Sequence, residues 1–116
     1  MKAVVINQYG EAEVLRSQDL PKPQIKSDQM LVKVYATSIN PIDWKTRKGM
    51  LKIIFGSKFP MVLGYDVSGE VVEVGSTVTQ FRPGDQIYAC LDTATSGSYA
   101  EYAAVSEKVA YFKPQN

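Results

Sequence analysis

The chain has 116 residues, 45% of them hydrophobic and 22% charged, with a formal charge of +1 at pH 7. This is the commonest size for one compact domain with an ordinary core, and the near-neutral balance excludes a basic footprint for nucleic acid. With no histidine and a single cysteine, Cys90, a Ser-His-Asp triad, an internal disulfide and a zinc site of the usual nitrogen and sulfur ligands are excluded.

The opening residues, MKAVVINQYG, carry neither the apolar stretch nor the cleavage site of a signal peptide. Apolar runs along the chain are far too short to span a bilayer. A cytoplasmic protein with no membrane partner is the expectation. KAVVIN (2–7) is a β-branched run that predicts a strand. Residues 13–20 predict a weaker one, and PKPQIKSD then supplies a turn. MLVKVYATS (30–38) sets Leu31, Lys33 and Tyr35 against Val32, Val34 and Ala36, the two-residue period of a strand.

The pattern changes at Asn40-Pro41-Ile42-Asp43. Asn can cap a helix, Pro suits its first position, and Asp sits well near its positive end. Gly49 stops it, so a short helix is predicted over residues 41–48. Asp43 and Arg47 lie four apart on one face and are expected to pair. Residues 50–58 read as a loop. Strands return at 67–74 and 86–91, joined through STVTQF and the turn RPGD, and again at 98–105 and 109–112. Cys90 follows a strand and reads as a small buried apolar residue. About seven short strands with one or two short helices and no βα alternation predict a mainly β fold, a partly open barrel or sandwich.

The stretch GYDVSGEVVEVG (64–75) admits three readings. A phosphate loop needs glycines close enough for successive N–H groups to converge at a helix start. Here a strand with two acids follows Gly69, and no G-x-G-x-x-G occurs elsewhere. A metal site would use Asp66 with Glu70 or Asp43, but neither an EF-hand spacing nor a dense acid cluster is present. The third reading is a bent strand in which Gly69 admits a close neighbour or a bulge and Gly75 opens the next turn. It is favoured.

The series SINPIDWKTRKG (38–49), FPMVLGYDVSGEVVEVG (59–75), FRPGDQIYA (81–89) and GSYAEYAAV (97–105) resembles the N-terminal domain of the medium-chain dehydrogenase/reductase superfamily. Its closest branch is that of the zinc-free quinone oxidoreductases related to zeta-crystallin. The resemblance covers essentially all of 1–116 and implies a GroES-like, partly open β-barrel. It implies a substrate-side domain of an NADPH-dependent enzyme that passes hydride to a quinone, an enone or a related carbonyl. The NADPH-binding Rossmann domain of such enzymes is not among these residues, so the isolated chain is expected to be inactive, and the full-length protein is expected to be a homo-oligomer.

In the zinc alcohol dehydrogenases, positions matching Asn40 and Tyr65 hold a cysteine and a histidine that bind the metal; the amide and phenol here imply a zinc-free site. The resemblance places Asn40 and Tyr65 as catalytic donors and Asn40, Asp43 and Arg47 at the cofactor. The plainer alternatives are a helix cap for Asn40, helix-start charge and the Arg47 pair for Asp43, and a core tyrosine with a satisfied tip for Tyr65. Asp66 is expected to tie backbone or Arg47. The chain has Lys45 and Met50-Leu51 where several quinone reductases carry tyrosines within and just after the helix, a departure from the pattern expected for a quinone substrate. The alternative function is a stand-alone GroES-like barrel that binds protein partners or assembles into a ring.

Overall fold

A computed structural model describes residues 1–50, 59–91 and 97–114. Apart from Met50, the loop expected at 50–58 lies outside these residues. Eight strands are described: β1 (Lys2–Ile6), β2 (Leu15–Asp19), β3 (Gln29–Ala36), β4 (Met61–Val62), β5 (Asp66–Val74), β6 (Gln86–Cys90), β7 (Tyr102–Ser106) and β8 (Ala110–Phe112). One α-helix, α1 (Pro41–Lys48), stands between β3 and β4, and single 3-10 turns occur at Ala12–Val14 and Glu107–Val109. Every strand pair is antiparallel, in a three-stranded sheet of order β2-β1-β4 and a five-stranded sheet of order β7-β3-β5-β6-β8. The two sheets do not close, so the fold is mainly β and open, as the strand pattern predicts.

The main core lies on the five-stranded sheet, where alternating positions of β5 and β6 (Val67, Val71, Ile87, Ala89) meet Met30, Val32, Phe81, Ala103 and Val105. A smaller cluster of Ile6, Val14, Met61 and Leu63 packs with Tyr9, Phe59 and Tyr99 beneath the three-stranded sheet. β4 was not evident in the sequence: it has two residues, and its register comes from pairing with Val5 and Ile6 far earlier in the chain. The expected alternation in β3 begins only after Val32, because its first four residues are all buried, Leu31 included.

Gly69 explains the bent strand. An added Cβ would stand 2.0 Å from the Lys33 carbonyl oxygen across the β3–β5 pair. Beside it the register breaks: Val34 faces Gly69 while Ala36 faces Ser68, leaving Tyr35 as the extra residue of a bulge. Gly75 donates its N–H to Gln29 O at 2.8 Å and leads into the following turn. The glycines therefore serve close backbone packing in a strand, as the favoured reading holds.

Large apolar side chains remain uncovered at the outer edge of the larger sheet: Tyr88 and Tyr111 stack with centroids 5.6 Å apart, and Phe112 is 57% exposed.

Candidate functional site

The start of α1 is assembled from three segments of chain. Asn40 precedes a proline, which holds it extended (φ −125°, ψ 159°), and it occupies the N-cap position. Asp43, one turn in, accepts the Asn40 backbone N–H on Oδ2 at 2.7 Å. The Asn40 side-chain amide turns the other way, and its Nδ2 donates to Asp66 Oδ2 at 2.8 Å. Ser38 Oγ donates to that same oxygen at 2.6 Å. At the other end of the helix Gly49 is left-handed (φ 89°) and its N–H returns to Thr46 O, closing α1 where the sequence predicts.

Asp66 is the first residue of β5, and Ser38 follows β3, so the strand pair carries the acceptor to the helix cap. Thr37 Oγ1 donates to Asp66 O at 2.5 Å and shares a 2.8 Å hydrogen bond with the buried Ser98 hydroxyl. Ser38 and Asp66 also form the polar end of an open cleft of about 650 Å³, walled by Ala36, Val67, Ala89 and Tyr111.

The structure brings Asn40 and Asp43 together but leaves Arg47 and Tyr65 out of that cluster. Tyr65 is 2% exposed. Its hydroxyl lies 3.0 Å from Thr46 Oγ1, which itself donates to Ile42 O at 2.7 Å, so Tyr65 is the donor of the pair. This matches the core alternative, a tyrosine whose tip is satisfied inside. The expected Asp43–Arg47 pair does not form. Asp43 is drawn toward the helix start by its two donors, and Asp43 Oδ1 and Arg47 Nε are buried without hydrogen-bond partners. Asp66 likewise serves Ser38 and Asn40, not Arg47.

Cys90 is exposed, contrary to the expectation of a buried residue. The alternation of β6 puts it on the outer face with Gln86 and Tyr88. Desolvation, followed by the neighbouring Asp66 charge, pushes its thiol pKa up, so it is a weak nucleophile.

Tyr99 is the residue that sequence reasoning missed. Its hydroxyl donates to Asp43 Oδ2 at 2.9 Å from 56 residues away. It lies within GSYAEYAAV (97–105), but no local period distinguishes it from a strand tyrosine.

The Ser38 and then the Asn40 hydrogen bonds hold the Asp66 carboxyl below its usual range. A lowered folded pKa means that the unfolded chain takes up the proton first. The contribution to stability is therefore complete above the ordinary aspartate value of about 4, and it is lost as pH falls through the folded value. Urea titrations of the wild type and Asp66→Asn should run parallel near neutrality. Below about pH 4 the wild-type midpoint should fall more steeply. Parallel curves throughout would remove the hydrogen-bonded carboxylate from the account.

A family model described as alcohol dehydrogenase GroES-like domain matches residues 26–115. The quinone-oxidoreductase homolog, chloroplastic, of Spinacia oleracea is 42% identical over 115 residues, which are 98% of this chain and 35% of that protein. The NADPH-dependent alkenal/one oxidoreductase, chloroplastic, of Arabidopsis thaliana is 44% identical, matching all of this chain and 32% of that protein. Among solved structures, the quinone oxidoreductase from Coxiella burnetii superposes with a TM-score of 0.92 at 39% identity, covering 99% of this chain and 37% of that one. The chain thus spans about a third of the length of the relatives it matches.

Proposed function

The chain belongs to the alcohol dehydrogenase GroES-like domain family, with quinone oxidoreductases of the medium-chain dehydrogenase/reductase family as relatives, and from that membership we propose that it is the substrate-side domain of an NADPH-dependent oxidoreductase. The substrate is a quinone, an enone or a related carbonyl compound, and the site works without zinc. The observation that carries this reading is the Asn40 amide. One of its N–H groups donates to Asp66 Oδ2 at 2.8 Å; Ser38 Oγ, 3.5 Å from Nδ2 and 2.6 Å from that same carboxylate oxygen, lies on the same side, so the second N–H points away from both.

That second N–H is the donor for a substrate carbonyl oxygen as negative charge develops there. Asp66 and Asp43 fix the amide from opposite sides, one through the side chain and the other through the backbone. An amide holds its proton, so the proton that completes the reduction comes from solvent. Asp43, at 4% exposed, acts through Asn40 instead of touching a ligand. Tyr65 supports the helix from beneath through Thr46.

The donor set suits the neutral end of NADPH better than its phosphates. With both N–H groups of Asn40 assigned, its amide oxygen offers an uncharged acceptor to ribose or nicotinamide, and Arg47, not ion-paired with Asp43, offers a cation. A carboxylate in the first turn of α1 opposes a pyrophosphate there. When bound, the reduced nicotinamide supplies the hydride. Zinc is disfavoured by the ligand chemistry: an amide and a buried phenol are poor zinc donors, a lone carboxylate does not make a site, and no group of three His, Cys, Asp or Glu is gathered among the described residues.

A second reading, a protein-binding module, draws on the exposed Tyr88–Tyr111–Phe112 edge. The two readings part on a chimera in which this chain replaces the matching segment of the Coxiella burnetii quinone oxidoreductase. Addition of a quinone or enone should make the chimera consume NADPH, while the isolated chain shows no micromolar NADPH binding by fluorescence. A folded chimera that binds NADPH but reduces neither substrate class would overturn the oxidoreductase reading.

A further inference from the structure

We propose that Tyr99 is a positioning residue that sets the Asn40 amide through Asp43, an inference that rests on the reading of Asn40 as the polarising donor. Both Asp43 hydrogen bonds fall on Oδ2, one from the Asn40 backbone N–H at 2.7 Å and one from the Tyr99 hydroxyl at 2.9 Å. The other carboxylate oxygen has no partner. A buried carboxylate held by two donors has a defined direction. Held by one, it turns to recover solvation or a second donor, and the remaining donor is Asn40 itself. The hydroxyl also lies 3.4 Å from Ser38 O, so it reaches both flanks of Asn40.

Tyr99 is itself firmly placed. Its N–H donates to Leu63 O at 2.9 Å, and its carbonyl accepts the Val4 N–H at 2.8 Å, tying it to β1 and to the segment before β5. Gly64 makes that passage possible: with φ +103°, it has no Cβ where one would stand 2.6 Å from Tyr99 Cδ1 and 2.3 Å from Ser98 Oγ. Burial, then the Asp43 bond, pushes the phenol pKa well up, which keeps the hydroxyl a donor. The route from Gly64 through Tyr99, Asp43 and Asn40 ends at Asp66, two residues beyond where it began.

Tyr99→Phe retains the ring in its apolar cluster and removes only the hydroxyl. In the isotope-labelled chain, the Asn40 backbone and side-chain amide resonances should shift. Exchange of the Asn40 N–H should quicken about tenfold, while amides of Val32 and Val71 in the central sheet stay within about twofold. In the chimera, kcat should fall at unchanged KM for the enone, and Tyr99→Phe should add nothing to Asn40→Ala, because it acts through that residue. Unmoved Asn40 resonances would overturn the inference, as would faster exchange throughout the sheet, which marks a merely structural tyrosine. Moved Asn40 resonances with chimera turnover insensitive to Asn40→Ala would support the positioning and sink the functional reading instead. Should Tyr99→Phe fail to fold, Asp43→Asn, which keeps the acceptor oxygen but loses its charge, should shift the Asn40 and the Tyr99 ring resonances together; Asn40 resonances that move while those of Tyr99 stay would overturn the inference.

Discussion

Asn40→Ala in the chimera is expected to lower kcat by about 10²- to 10³-fold, the loss seen when one preorganised donor to a developing oxyanion is removed. KM for NADPH should change far less, because the donor gains strength only as charge builds on the substrate oxygen. The substitution also uncaps α1, which costs about 1 kcal/mol of stability, so slow turnover alone could reflect a frayed helix. Asn40→Ser separates the two effects. Serine is a good cap, but its shorter side chain carries one proton and cannot both reach Asp66 and donate to the substrate oxygen as the two N–H groups of Asn40 do. It should unfold close to the wild-type midpoint and still turn over nearly as slowly as the alanine variant. Wild-type kcat in Asn40→Ser would reduce Asn40 to its capping role.

The largest stability loss is expected for Gly69→Ala. The added Cβ would lie 2.0 Å from Lys33 O and 3.0 Å from the Lys33 carbonyl carbon. Both are backbone atoms of the strand paired with β5, so no side-chain rotation relieves the clash. β3 and β5 must move apart at the middle of the five-stranded sheet, beside Val32 and Val71, which are fully buried. Overpacking costs about 1–3 kcal/mol and occasionally more; a backbone clash in a central pair belongs at or above the top of that range, against a total stability of about 5–15 kcal/mol. Ser68→Ala next door, on the opposite face of β5, should change stability by less than about 0.5 kcal/mol. Denaturant midpoints read both. Equal midpoints for Gly69→Ala and wild type would mean that the strands are not packed so closely.

The parts of this fold that follow local rules could be read from the chain. Helix α1 is bounded by Asn40, Pro41 and Gly49, whose conformational preferences act within a turn, and its limits agree with the structure. The glycine-spaced stretch was readable as a bent strand because the acids and β-branched residues after Gly69 fit no anion loop. What could not be read depends on contacts between distant segments. The four-residue spacing of Asp43 and Arg47 makes them neighbours on the helix, yet the carboxylate answers to Tyr99, 56 residues on. The two residues of β4 carry no period at all. Cys90 is different: the alternation through Ile87 and Ala89 already assigned it to the exposed face, and the expectation of burial came from residue type instead.

On the function proposed, this domain presents a carbonyl compound to a reduced nicotinamide, with the Asn40 amide as the polarising group. The most direct test is isotope transfer in the chimera, using NADPH deuterated at the nicotinamide C4 position and an α,β-unsaturated ketone as substrate. Mass spectrometry of the reduced ketone should find one deuterium, carried on the carbon β to the carbonyl, with Asn40→Ala slowing its appearance. A folded, NADPH-binding chimera that yields no deuterated product would contradict the account.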